Sequence, residues 1–320
     1  MKKILAICML MAMLCTTACT GDGEKPIIDE TTVPEVTEAP EETTEASTEP
    51  EDTMYDDITD FKSIEAVVSV EREDVYLDEK GVGFKMIFKN GEDDICVYIT
   101  APRNYKNMPF PVVMHFPEIE FSCDTGNSYF TSYGCISVTI SPRGAESTGL
   151  RDLGEDELSD VAFVMDILRN CRFVDHDKIF ITGAGIGSVV AYKAARVYAD
   201  EICGIATVNT ISDFNALYKM GGNIETASKL YLGGTPDEVP DAYYESSVIN
   251  YVADIKCPVL LISYPQHPIF TIEQSENLKA EILAAGGDCS LISLEGIKSD
   301  FSDRSAQLAL DTFMDGEELK

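Results

Sequence analysis

The stretch that decides the fold is Lys178-Ile179-Phe180-Ile181-Thr182-Gly183-Ala184-Gly185-Ile186-Gly187-Ser188. Its first five residues form a short run, rich in β-branched and aromatic side chains, that is typical of a buried strand. Glycines at three alternate positions follow, which favours a tight turn. The pattern then becomes helical over residues 188–199. We therefore predict a strand, a glycine turn and a helix, the repeating unit of an α/β fold.

Similar units recur on both sides of this stretch. Short strands at residues 66–70, 84–88 and 95–100 are predicted to open the domain as an antiparallel section. Apolar strands follow at 110–116, 135–140, 204–208, 258–263 and 289–294, with helices at 157–170 and 273–285. Apolar strands separated by helices predict a doubly wound, mostly parallel sheet with helices on both faces. Residues 214–248 interrupt this alternation after a strand, so we predict that they form a small cap over the ligand crevice.

Charge restricts the classes of partner. The 320 residues carry a formal net charge of −32, of which −23 belongs to residues 54–320, with 21 basic and 44 acidic side chains. Nucleic-acid binding depends on Lys and Arg, so this charge argues against a nucleic-acid partner and against docking on anionic lipid. The only three histidines are His115, His176 and His267. No two of them lie close in sequence, so no metal site is predicted.

The first 55 residues are predicted to be an export signal followed by a spacer. Residues 1–18 have a basic start and a short apolar run, as in a secretory signal peptide. Ala18-Cys19 resembles the end of a bacterial lipobox, although Thr16 stands where leucine is usual. We predict lipidation at Cys19 and a location on the outer face of the bacterial cell membrane; ordinary signal cleavage is the alternative. The Thr/Glu/Pro-rich residues 19–55 are predicted to form a disordered spacer before the domain at 56–320.

Seven cysteines remain in the domain after Cys8, Cys15 and Cys19 are set aside. They are scattered and show no C-x-x-C spacing, so neither a zinc site nor a disulfide framework is predicted. We expect most of them to be small buried side chains with free thiols.

The order of elements resembles the α/β-hydrolase fold, in particular the prolyl oligopeptidase family and its small esterase relatives. Residues 175–179 resemble the lead-in to that family's nucleophile strand, and residues 143–147 resemble its Arg-Gly loop. Residues 232–236 and the pair Gln274-Ser275 resemble the segments around its acid-bearing strand. The resemblance covers about residues 74–313 and implies a serine hydrolase frame.

The residues at the catalytic positions of that frame are altered. The nucleophile elbow Gly-x-Ser-x-Gly reads Gly183-Ala184-Gly185-Ile186-Gly187, which places Gly185 at the nucleophile position. The slot of the acid holds His267, and the slot of the general base holds Ser299. The oxyanion loop has Pro117-Glu118, where proline offers no amide hydrogen and a carboxylate repels an oxyanion. No dinucleotide cofactor is predicted, because Asn209 rather than an acid ends the next strand.

These substitutions predict a non-catalytic, surface-anchored module. It is expected to bind a small molecule or a protein in the crevice formed by Pro117, Glu118, Gly185, Ile186, His267 and Ser299. The alternative is an active serine esterase or peptidase with a rearranged site, for which Ser188 is the rescue candidate. A third hypothesis is a structural envelope protein without a ligand. No cofactor is expected.

Overall fold

The computed structural model describes residues 67–73, 81–90, 93–102, 109–118, 127–142, 153–171, 173–298 and 300–316. All of them belong to the unit Met54–Lys320. The predicted signal peptide and spacer, the lipidation site Cys19 and the base-slot residue Ser299 lie outside the described residues. Expectations about these parts of the chain therefore stay predictions.

The described strands form one mixed sheet. In chain order they are Val67–Glu73 (β1), Gly81–Asn90 (β2), Asp93–Pro102 (β3), Phe110–Phe116 (β4), Ile136–Ile140 (β5), Val174–Ala184 (β6), Ile202–Val208 (β7), Val259–Ser263 (β8) and Cys289–Ser293 (β9). They pair in the order β1-β2-β3-β5-β4-β6-β7-β8-β9. The pairs β1–β2, β2–β3 and β3–β5 are antiparallel, and the other five are parallel. This arrangement confirms the predicted antiparallel opening and the mostly parallel sheet.

Helices connect the strands. They are Asn127–Tyr133 (α1), Glu155–Asn170 (α2), Gly187–Val197 (α3), Phe214–Lys219 (α4), Gly222–Leu232 (α5), Pro240–Glu245 (α6), Ile272–Ala284 (α7) and Arg304–Met314 (α8). Two 3₁₀ turns, Val248–Asn250 and Val252–Asp254, follow α6. In the part of the chain that the structure describes, none of the helices combines the length and apolar character needed to cross a lipid bilayer.

The two faces of the sheet are covered by different helices, because successive side chains of a strand point to opposite faces. Val112 and Met114 of β4 belong to the core cluster that includes residues of α2, α3 and α7. Val113, between them, belongs to a second cluster with residues of α1 and α8. The sheet therefore lies between two helical layers, and the predicted α/β-hydrolase fold is confirmed.

Residues 214–248 contain α4, α5 and α6 between β7 and β8. Hydrogen bonds at the base of this segment join it to α7: the Gln274 Oε1 atom accepts from the Ser212 and Asp213 amides at 2.8 and 2.9 Å. The Ser247 hydroxyl accepts from the Phe214 amide at 2.9 Å, closing the segment on itself. Its role as a cap over a ligand crevice stays a prediction.

Six domain cysteines lie in the described residues, and none of the six is bridged: Cys96, Cys135, Cys171, Cys203, Cys257 and Cys289. Four of them are buried. Burial raises the pKa of Cys135 and Cys203 to about 12 and that of Cys257 to about 11. These thiols are therefore protonated at neutral pH and poorly nucleophilic.

Candidate functional site

The carboxyl ends of the parallel strands meet at one edge of the sheet, and the glycine turn lies there. β6 ends at Ala184 and α3 begins at Gly187, so Gly185 and Ile186 form the turn. Gly185 has φ +49° and donates its amide hydrogen to Val208 O of β7 at 3.0 Å. A left-handed backbone at this position strongly favours glycine over most side chains. The turn has the strand-to-helix placement of a nucleophile elbow.

The flanking glycines are required by close packing. A methyl group at Gly183 would lie 2.8 Å from Ser188 Cα, and one at Gly187 would lie 2.2 Å from the carbonyl oxygen of Phe116. Both contacts involve backbone atoms of neighbouring elements, which move little. The spacing Gly183-x-Gly185-x-Gly187 is therefore explained by the turn geometry, apart from any reaction.

The space above Gly185 is occupied by two other side chains. A methyl group there would lie 2.9 Å from Glu118 Cγ, from Glu118 Cδ and from Phe270 Cζ. Glu118 comes from the loop after β4, and Phe270 comes from the loop after β8. The position from which a nucleophile would project thus lacks a side chain of its own and is filled from two sides.

The Glu118 carboxyl group also affects the electrostatics of this edge. It lies beside Gly185, in the turn that leads into the N-terminus of α3, and the positive end of a helix dipole favours a negative charge. A negative charge here would oppose the charge that develops on a substrate carbonyl oxygen during acyl transfer. Pro117 precedes it, is buried and has no amide hydrogen to donate.

Ser188 lies in the first turn of α3 and is fully buried. Its hydroxyl donates to the carbonyl oxygen of Gly185 at 2.6 Å and accepts from the Ile211 amide at 3.1 Å. These two bonds tie the turn to the chain that leaves β7. The hydroxyl is thus used in the structure, and in this geometry no described base receives its proton.

His267 follows β8 and holds the loop that carries Phe270. Its Nδ1 atom accepts from the amides of Ile269 and Phe270, each at 3.3 Å. Its ring stacks on the Phe270 ring at 4.7 Å between centroids. A ring nitrogen that accepts must be unprotonated, and burial lowers the pKa of His267 below its usual value. The imidazole therefore acts here as a neutral support for the side chain that covers Gly185.

Asn209 joins the neighbouring loops at this edge and was not predicted as a site residue. It lies directly after β7 with φ +51°, which is uncommon outside glycine but tolerated by asparagine. Its amide group donates to Lys298 O at 2.7 Å and its Oδ1 atom accepts from the Tyr264 amide at 3.0 Å. An asparagine placed directly after a buried strand was the available signal. Ser299, next to Lys298, lies outside the described residues.

The other two histidines are engaged elsewhere. The Nδ1 atom of His115 lies 2.8 Å from the Thr182 hydroxyl, and its ring contacts those of Phe130 and Phe301 in the core. The Nε2 atom of His176 lies 3.1 Å from Leu168 O. Within the described residues no group of three potential metal ligands is present.

Comparison with known proteins agrees with this architecture. A sequence model described as the prolyl oligopeptidase family matches residues 121–287, just over half of the chain. The uncharacterized peptidase YtmA of Bacillus subtilis (strain 168) is 24% identical over 154 residues, which are 48% of this chain and 60% of that protein. The chain thus spans less than two thirds of the length of this curated relative.

Two solved structures share the fold at low sequence identity. The acetyl xylan esterase from Paenibacillus sp. R4 is 14% identical with a TM-score of 0.64, over 87% of this chain and 97% of that one. An acylaminoacyl peptidase from Pyrococcus horikoshii is 18% identical with a TM-score of 0.58, over 81% of this chain and 42% of that one. The matched family segment includes the glycine turn, β8 and all of α7. This chain belongs to the prolyl oligopeptidase family.

Proposed function

We propose that this chain is a non-catalytic member of its family that acts by binding a small molecule or a protein. The observation that carries the non-catalytic part of the proposal is the filling of the space above Gly185 by Glu118 and Phe270. Covalent acyl transfer needs a nucleophile, a base within hydrogen-bond reach and donors for the oxyanion. At this turn the nucleophile position has no side chain, and a carboxyl group lies beside it.

The other groups near the turn support the same proposal. The Ser188 hydroxyl is held between Gly185 O and the Ile211 amide, and the His267 Nδ1 atom accepts two backbone amides. Both of these side chains therefore hold neighbouring loops together. The competing function is an active serine esterase or peptidase, which the named activities of the relatives suggest and which would need Ser188 or Ser299 in a rearranged site.

A serine-directed fluorophosphonate probe distinguishes the two functions. We expect no labelling of the folded chain and no turnover of short p-nitrophenyl esters above the buffer rate, while a family member with an intact triad is labelled under the same conditions. Heat-denatured protein controls for non-specific reaction. Stoichiometric labelling of the native chain that Ser188→Ala or Ser299→Ala abolishes would identify a nucleophile and overturn the proposal.

We also propose that the domain is exported and held on the outer face of the cell membrane by a lipid on Cys19. The basic start, the short apolar run and the Ala18-Cys19 pair support this location. The acidic residues that follow would serve as a spacer. Incorporation of labelled palmitate into the full chain, lost in Cys19→Ala, is the expected result; equal labelling of both would contradict it.

A further inference from the structure

A groove of about 710 Å³ lies between the helices on one face of the sheet. Its floor is the second half of α3. One wall is the start of α2 with the residues just before it, and the other wall is α6 with the end of α5. The lining is largely apolar and includes Leu153, Leu158, Val197, Tyr231, Leu232 and Ala242. This size and composition are typical of small-molecule sites.

The groove is separate from the glycine turn. Gly187 begins α3 beside the turn, whereas the floor residues Lys193 and Arg196 come six and nine residues later. At 1.5 Å per residue they lie about 9 and 13 Å farther along the helix axis. Among the described residues, none of those predicted for the crevice lines this groove.

The basic groups of the floor have protein partners. The Arg196 guanidinium pairs with Glu245 at 3.0 Å and with Asp254 at 2.9 Å, and it lies over the ring of Tyr251. The Lys193 ammonium donates to Leu153 O at 2.5 Å and to the Ser246 hydroxyl at 3.4 Å. Lys193 thereby joins the two walls across the floor. These contacts hold the groove in shape and use donors that an anionic ligand would need.

Two carboxylate side chains also line the groove, and they differ from its basic groups in their contacts. Glu155 stands on the α2 wall and Asp241 on the α6 wall, and both are exposed. Neither makes a hydrogen bond or an ion pair with the chain as far as the structure describes it. An apolar trough between two unpaired carboxylates is complementary to a molecule with an apolar body and a positive end. The charge of −23 on residues 54–320 attracts the same kind of ligand over longer distances.

We infer that this groove binds an organic cation whose ammonium group is carried on an aliphatic or aromatic body. The ammonium group lies between Glu155 and Asp241, and the apolar body lies along Leu158, Val197 and Ala242. The aromatic ring of Tyr231 in the wall adds attraction for a cation. The site does not depend on whether the crevice at Gly185 hydrolyses a substrate.

The test compares three eight-carbon probes that differ in charge: n-octylammonium, n-octanol and n-octanoate. Calorimetric titration of the full chain is expected to give saturable binding of n-octylammonium and weaker or no binding of the other two. Removing one exposed charge partner weakens such contacts by about threefold, so Glu155→Gln with Asp241→Asn is expected to weaken binding about tenfold. Ala242→Trp, which fills the groove, is expected to abolish it.

The matched control is Glu276→Gln with Glu281→Gln on α7, which removes two exposed carboxylates outside the groove. Binding by this control is expected to equal that of the unchanged chain. Equal weakening of both double variants would show attraction by net charge only and overturn the site. Tighter binding of n-octanoate, or no saturable binding of n-octylammonium at millimolar concentration, would also overturn it. A thermal melt of each variant checks folding, and the charge variants answer the question if Ala242→Trp does not fold.

Discussion

Replacing Gly185 with alanine tests directly whether Glu118 fills the nucleophile position. The added methyl group meets two costs. A left-handed backbone costs an L-residue about 1–2 kcal/mol relative to its preferred regions. The three contacts of 2.9 Å with Glu118 and Phe270 add overpacking, which costs about 1–3 kcal/mol. We therefore expect Gly185→Ala to lower the free energy of unfolding by about 2–5 kcal/mol.

The two costs separate in a double-mutant cycle. Glu118→Ala removes the Cγ and Cδ atoms that make two of the three close contacts, but leaves the backbone of Gly185 unchanged. Gly185→Ala should therefore cost less in the Glu118→Ala background, with a coupling free energy of about 1–2 kcal/mol. The remaining contact with Phe270 Cζ keeps the rescue incomplete.

Urea unfolding followed by far-ultraviolet circular dichroism measures all four proteins. Gly233→Ala is the matched control, because Gly233 has φ +85° but no atom within 4 Å of an added methyl group. Gly233→Ala has only the cost of the left-handed backbone, so its effect on the free energy of unfolding should be additive with that of Glu118→Ala. If Gly185→Ala and Glu118→Ala are also additive to within about 0.5 kcal/mol, Glu118 does not occupy this space and the reasoning fails.

Three further predictions concern the same edge of the sheet and the core. Gly187→Ala should lower the free energy of unfolding by about 3 kcal/mol or more, because its methyl group would meet backbone oxygens, and urea titration should show no rescue by Glu118→Ala. The pKa of His267 is lower in the folded chain than in the unfolded chain. As the pH falls below about 6.5, the unfolded chain is therefore the first to bind a proton at this residue, and the free energy of unfolding decreases. The loss is at most about 1.4 kcal/mol per pH unit for one group, and unfolding curves of His267→Gln between pH 7 and 5 should lack this component. The buried thiols Cys135, Cys257 and Cys289 should react with an aromatic disulfide reagent only after urea is added. Rapid reaction of any of these three thiols in native buffer would contradict their burial and their raised pKa values.

Much of the fold could be predicted from sequence because parallel strands buried on both faces read as uninterrupted apolar runs. The predicted strand at 178–182 lies within β6. This strand begins earlier, at Val174, and its first residues were not predicted as strand because residues 175–177 are polar. Val174 pairs with Phe110 of β4, a contact that only the folded sheet supplies. Helix α1 was missed because its seven residues have weak helical preference, and Phe130 holds it by burial in the second core cluster.

Helix α8 was missed although its signals were present. Asp303 caps it by accepting from the Ser305 amide at 2.7 Å, and Ala306, Ala309 and Leu310 have the spacing of a buried helical face. The filling of the elbow is a different case. Glu118 and Phe270 lie far from Gly185 in sequence, and no periodicity relates the three positions. The three residues come together because β4, β6 and β8 end at the same edge of the sheet.

The positions of Glu118 and Phe270 beside Gly185 change which substitutions would be needed to restore hydrolase activity. From sequence alone, Gly185→Ser with His267→Asp and Ser299→His would return the three catalytic groups to their slots. In the folded chain, a serine at position 185 would have its Cβ atom within 2.9 Å of Glu118 and Phe270. The exchange at His267 would also alter the acceptor that holds the Phe270 amide. Restoring the site therefore requires that Glu118 and Phe270 be made smaller as well. The three-residue exchange alone should destabilise the chain and give no activity, because Glu118 and Phe270 occupy the space into which a side chain at position 185 would project.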